Sequence, residues 1–212
     1  MALTLIGLSI GLLLFLVAAG LTLIFGLLGV INFAHGAFYM LGAYIGYQAV
    51  ASTGSFWLAL ALTPLIVLPA GALLERVLLR PLYAKPHAQQ LVMTFGLILV
   101  MEEAARMVWG LGYLRVSPPA ALAGTTEIFG SYIGDYRIFA CVVAAVVAAG
   151  LLLGLERTSL GATIRAAAAN PRMLSCLGAD VNRLRMWTFG GGTALAAFAG
   201  VLVSPLVPID SG

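Results

Sequence analysis

Charge is what this chain has least of. Asp, Glu, Lys and Arg make up 9% of its 212 residues, against about 25% in a soluble domain. None of them occurs before Glu75. Such a chain cannot cover a globule with polar groups, so a water-soluble fold is excluded and the bilayer is its solvent. The net charge of +3 is too small and too dispersed for nucleic acid. Lysine is nearly missing, with Lys85 alone, so basic charge is carried by arginines gathered in particular loops. The only cysteines, Cys141 and Cys176, fall at different depths and read as small buried residues without a disulfide or metal-ligating neighbours. No nucleophile elbow, zincin helix or P-loop is present, so no catalytic site, cofactor, metal or energy-coupling machinery is expected in the chain itself. No basic residue precedes the first apolar run and no A-x-A site follows it. That run is therefore expected to stay in the mature protein rather than leave as a signal peptide.

What is present is apolar: 62% of the residues, with a mean hydropathy of +1.06. A membrane-crossing helix needs about 20 apolar residues. Residues 3–30, 37–51, 56–74, 89–110, 138–155 and 186–207 meet or approach that need. The fold class expected is an all-α polytopic bundle of about six transmembrane helices, with residues 1–212 as one domain. The third stretch carries Pro64 and Pro69 and is expected to kink. Basic residues in short loops set orientation. Arg76, Arg80 and Lys85 follow the third stretch, and Arg157, Arg165, Arg172, Arg183 and Arg185 follow the fifth. These loops are expected in the cytoplasm. The segment 111–137, where Arg115 and Arg137 are balanced by Glu127 and Asp135, is expected outside, together with the N-terminus.

Small residues let helices approach in lipid. Gly192, Ala196 and Gly200 form one such stripe, and Gly42 with Gly46 and Gly7 with Gly11 form two more. The run Gly190, Gly191, Gly192 reads as a close crossing in preference to a hinge.

Three groups of residues stand out as candidate sites. Asn32, His35 and Gly36 break the apolar run between the first two spans. A polar break at membrane depth is tolerated only inside protein or beside water. It is either a satisfied polar pair capping a helix break or part of a substrate path. Glu102, Glu103 and Arg106 interrupt the fourth span. Glu102 and Arg106 are four apart with the acid first, an orientation that pairs on a helix. Either this is an interfacial ion pair or the two acids line an outer vestibule. The loop 156–185 predicts two short helices. Thr158 or Ser159 caps one over residues 160–169, Asn170-Pro171 stops it, and a second runs to Leu177 with Gly178 as its C-cap. Two short helices on the basic side make a knob suited to docking a soluble partner, with Ala166 to Ala169 as a smooth face, or else a solvated basic loop touching anionic lipid.

The stretch GLTLIFGLLGVINFAHGAFYMLGAY from Gly20 resembles the permease subunits of branched-chain amino acid ABC transporters. ERVLLRPLY with the later T-F-G-L from Thr94, and S-L-G-x-x-I-R-A from Ser159 with Asn170-Pro171 and Leu177-Gly178, are similar to the same family. The resemblance implies a high-affinity importer in a bacterial inner membrane. It implies two ATPase subunits, a second permease and a periplasmic solute-binding protein as partners, and a small amino acid as substrate. Leu160, Gly161, Arg165, Asn170 and Gly178 would be the coupling positions that seat on the ATPase. Asn32, His35, Gly36, Glu102 and Glu103 would line the path. The segment 111–137 would face the binding protein, with a hairpin turn at Gly134-Asp135. Members of that family usually continue for two further spans beyond the point matching Gly212. A urea or short-amide importer permease has the same features. A stand-alone channel or secondary transporter leaves the basic knob unexplained, and an intramembrane enzyme using His35 lacks a nucleophile or metal partner.

Overall fold

The computed structural model describes residues 2–30, 32–128 and 131–210. Helices dominate: α1 (Ala2–Leu28), α2 (His35–Thr53), α3 (Phe56–Leu74), α4 (His87–Trp109), α5 (Asp135–Arg157), α6 (Ser159–Ala169), α7 (Pro171–Cys176) and α8 (Val181–Val203). Six of them are long. Among the described residues, four stretches are long and apolar enough to cross a membrane: Ile6–Leu28, Phe56–Leu82, Asp135–Arg157 and Val181–Val203. The helices α2 and α4 reach 19 and 23 residues but carry more polar groups, among them His35, Gln48, Gln90, Glu102 and Glu103.

Helix α8 is the hub. Its most apolar stretch is 67% buried, against 11% for α5, and α1, α2 and α3 all pack on it. Small residues cause this. A Cβ at Gly42 would run into the Ala197 backbone, and one at Gly200 into the Tyr39 carbonyl. One at Gly190 would stand 2.6 Å from the Leu68 carbonyl oxygen. Backbones approach this closely only where no side chain intervenes. The Gly190 to Gly192 run therefore lies in a continuous helix at a close crossing. Gly7 and Gly11, by contrast, meet nothing within 4 Å of a built Cβ, so that pair is not a packing seam within this chain.

The helix ends follow from local chemistry. Gly29, at φ +66°, closes α1, its N–H bonding the Phe25 carbonyl at 2.9 Å. Ser55 caps α3 by accepting from the Leu58 N–H at 3.4 Å. Helix α3 is continuous through Pro64 and Pro69, then widens into a π-helical turn at Glu75–Leu79 and a 3-10 turn at Arg80–Leu82.

Strands β1 (Thr125–Ile128) and β2 (Ser131–Gly134) form an antiparallel hairpin, with Ile128 opposite Ser131. The turn expected at Gly134-Asp135 is not found there, because Gly134 is still in the ladder, opposite Thr125. Asp135 instead begins α5, where a carboxylate suits the positive end of the helix dipole. The Asp135 Oδ1 accepts from the Thr126 hydroxyl at 2.6 Å. The hairpin end also holds the chain's last described residues, because Leu114 and Ile209 exchange backbone hydrogen bonds of 3.1 and 2.8 Å. Both cysteines are free thiols, but neither is buried. Cys141 is half-buried on peripheral α5 and Cys176 is exposed on the knob.

Candidate functional site

The polar break is a buried turn. Gly29 closes α1 and α2 begins at His35. Asn32 and His35 are both buried. His35 Nε2 lies 3.0 Å from the Val17 carbonyl oxygen, and a carbonyl only accepts, so Nε2 carries the proton. Val17 is in the middle of α1, so the break sits near mid-bundle. A Cβ at Gly20 would stand 2.6 Å from the Gly192 carbonyl oxygen and 3.1 Å from His35 Cε1. Thus α1, the break and α8 touch at one point. The Asn32 side-chain amide and His35 Nδ1 have no hydrogen-bond partner among the described protein atoms.

Gly36, one residue further, opens onto a cavity of about 360 Å³. Ser9, Leu13, Val17, Tyr39 and Arg137 are among its other walls. Of the five path candidates, Gly36 lines one of five cavities formed by the described residues, and Asn32, His35, Glu102 and Glu103 line none of those five. Helix α4 turns Met101 and Ala105 inward and packs on α2. The acids are on its outer side. The expected pair is also corrected: Arg106 Nη1 meets Glu103 Oε2 at 3.8 Å, three residues apart. Both positions are neighbours on a helix surface, and here Glu103 projects on the solvent side with Arg106. At 57% and 35% side-chain exposure this pair contributes little to stability.

The knob forms as two short helices. The Thr158 hydroxyl oxygen accepts from the Gly161 N–H at 3.0 Å and caps α6. Asn170 ends α6, and its Oδ1 accepts from the Met173 N–H at 3.0 Å to start α7. Gly178, at φ +87°, then turns the chain toward α8. A Cβ at Gly161 would strike the carbonyls of Gly154 and Leu155, so only glycine lets α6 fold back on the end of α5. The five coupling candidates therefore divide. Gly161, Asn170 and Gly178 shape the knob, while Leu160 and Arg165 are exposed on it. Leu177 and Met173 join Leu160 as exposed apolar side chains there. The alanine run is not wholly a surface, since Ala167 is buried against the bundle.

A second polar centre escaped the sequence reading. Glu75 is 0% exposed. Its carboxylate accepts from Arg80 Nη2 at 3.0 Å and from the Tyr83 hydroxyl at 2.7 Å. Arg80 also donates to the Asn182 carbonyl at the start of α8, and the Arg185 guanidinium lies 5.1 Å over the Tyr83 ring. The π turn brings positions five apart onto one face, which is why Glu75 and Arg80 meet. Burial, then the hydrogen bond to Glu75, holds the Tyr83 phenol well above its ordinary pKa, so it remains a donor. The signal was available: Glu75 is the first charge after a long charge-free run, and an ionisable group at that depth invites a functional reading.

The family model for the branched-chain amino acid transport system permease component matches residues 3–209. The chain belongs to this family. The high-affinity branched-chain amino acid transport system permease protein BraD of Pseudomonas aeruginosa is 32% identical over 209 residues, covering 93% of this chain and 68% of that protein. LivH of Escherichia coli K12, of the same description, is 28% identical over 211 residues, with the same two coverages. The probable permease LivM of Methanocaldococcus jannaschii is 31% identical over 145 residues, or 66% of this chain and 37% of that protein. No solved structure matches. The chain is thus a multi-pass integral membrane protein and a transport permease component.

Proposed function

We propose that this chain forms one wall of the translocation path of a binding-protein-dependent ABC importer for branched-chain amino acids. ATP hydrolysis belongs to separate subunits. The observation that carries the reading is the knob. It is a short, capped helix pair that presents Leu160, Arg165 and Leu177 outward and is continuous with α5 and α8. A push on it reaches the hub helix directly. Residues 156–185 serve as the coupling loop, docking an ATPase subunit, and residues 111–137 face a periplasmic solute-binding protein. A second permease completes the path, and the assembly sits in a bacterial inner membrane. Of the path residues, Gly36 opens on the cavity, and His35 ties the break behind it to the Val17 carbonyl, with Asn32 buried nearby. Glu102 and Glu103 serve the outer rim of α4. The functions of the relatives, which cover 93% of this chain, support the substrate class.

Co-purification from native membranes tests this. The wild-type chain should bring down an ATPase subunit, and Arg165→Glu should lose it while the detergent-solubilised protein stays monodisperse. A wild-type chain recovered without any ATPase, yet transporting in vesicles without nucleotide, overturns the proposal.

A further inference from the structure

Two cavities adjoin on the flank of α1, α2 and α8, toward the hairpin end. The larger, about 360 Å³, runs from Ser9 and Arg137 down to Val17 and Gly36. That is a depth of about 12 Å along α1. The smaller, about 180 Å³, is lined by Met40, Gly200, Ser204 and Asp210. Tyr39, Val203 and Val207 belong to both, so the two make one trough. Its combined size suits a small organic molecule.

The trough is apolar along its length and carries one charge of each sign. Arg137 lines the larger part and Asp210 the smaller. Neither meets an oppositely charged side chain within 4 Å among the described residues. Arg137 Nη1 is held by the buried Ser9 hydroxyl at 3.1 Å, and that hydroxyl donates onward to the Ile6 carbonyl at 2.7 Å. The guanidinium is therefore positioned rather than free. It also stands in the first turn of α5, where the helix dipole disfavours a cation. A carboxylate in the trough relieves that conflict and accepts a charge-assisted hydrogen bond.

We propose that this trough is an amino-acid subsite. Arg137 takes the α-carboxylate, Asp210 takes the α-ammonium, and the walls formed by Leu13, Val17, Tyr39 and Val203 take an aliphatic side chain. The inference rests on the transport reading above and deepens it. Ile10, Leu14 and Val207 leave the trough open on the flank. A zwitterion facing hydrocarbon is costly, so the subsite requires that this flank be covered in the assembled transporter.

The test uses the purified transporter complex in nanodiscs, without the solute-binding protein. Equilibrium binding of radiolabelled L-leucine is competed with leucinamide, which lacks the carboxylate, and with 4-methylpentanoate, which lacks the ammonium. The wild type should prefer leucine to both. Arg137→Gln should weaken leucine about tenfold or more and remove the preference over leucinamide, whereas Arg137→Lys should keep part of it. Asp210→Asn should remove the preference over 4-methylpentanoate. Val207→Trp, at an exposed wall, should fill the trough and cut leucine binding about tenfold with ATPase recovery unchanged. If all these variants bind leucine like the wild type, or the site retains a phospholipid that leucine does not displace, the subsite is wrong. Transport by the wild type, with binding protein and ATP supplied, then shows that the importer reading still stands. A wild type that moves no amino acid under those conditions overturns both.

Discussion

Replacing Glu75 with alanine removes the acceptor that holds two donors in the buried centre below α3. Arg80 loses a 3.0 Å ion pair and Tyr83 a 2.7 Å hydrogen bond. Breaking a fully buried pair from one side costs about 3–5 kcal/mol. Here the Arg80 side chain keeps 30% exposure, so it regains water when its partner goes. The low end, about 3 kcal/mol, is therefore expected. An exposed pair would give under about 1 kcal/mol. Glu75→Gln keeps an acceptor for Tyr83 but removes the charge, and should fall between wild type and alanine. Denaturation of the solubilised protein by SDS titration, followed by circular dichroism, measures these differences. A double-mutant cycle with Arg80→Ala isolates the pair, and the coupling should exceed about 1 kcal/mol. Additive losses, with coupling under about 0.5 kcal/mol, would refute the claim that Glu75 and Arg80 act together.

Gly20→Ala puts a methyl 2.6 Å from the Gly192 carbonyl, backbone that cannot rotate away, so a loss of about 1–3 kcal/mol is expected in the same titration. Gly161→Ala should lift α6 off the end of α5, abolishing ATPase co-purification while the thermal unfolding of the bundle shifts little. Tyr136→Phe deletes the 2.7 Å bond from its hydroxyl to the buried Leu202 carbonyl and should cost about 1 kcal/mol, read as a lowered midpoint of thermal unfolding. Thr158→Ala removes the α6 cap at a cost of about 1 kcal/mol, visible as faster amide exchange at Gly161 and Ala162.

Much of the fold is legible in the sequence because its causes are local. The starts of α3, α6 and α7 follow from Ser55, Thr158 and Asn170, each bonding an N–H within three residues. The break after Leu28 follows from a positive-φ glycine and the polar residues beyond it. Asn170 and Gly178 are legible in the same way, as the stop after α6 and the positive-φ glycine after α7. The errors are of another kind. The hairpin exists, but its turn was placed on Gly134-Asp135, where a helix start competes for the aspartate and wins. Glu102 and Glu103 are both within reach of Arg106 by spacing, and the ion pair forms with Glu103, three residues away.

Taken alone, the sequence determined the solvent, the number of long helices and the capped pair at one end, since hydropathy and hydrogen bonding to near neighbours need no knowledge of the rest of the chain. Tertiary structure alone decided which glycines are crossings, that Glu75 is enclosed, and that Ser9 holds Arg137 from 128 positions away. Those outcomes depend on which faces of separate helices come to rest together. That is settled by packing in three dimensions, and no local pattern encodes it.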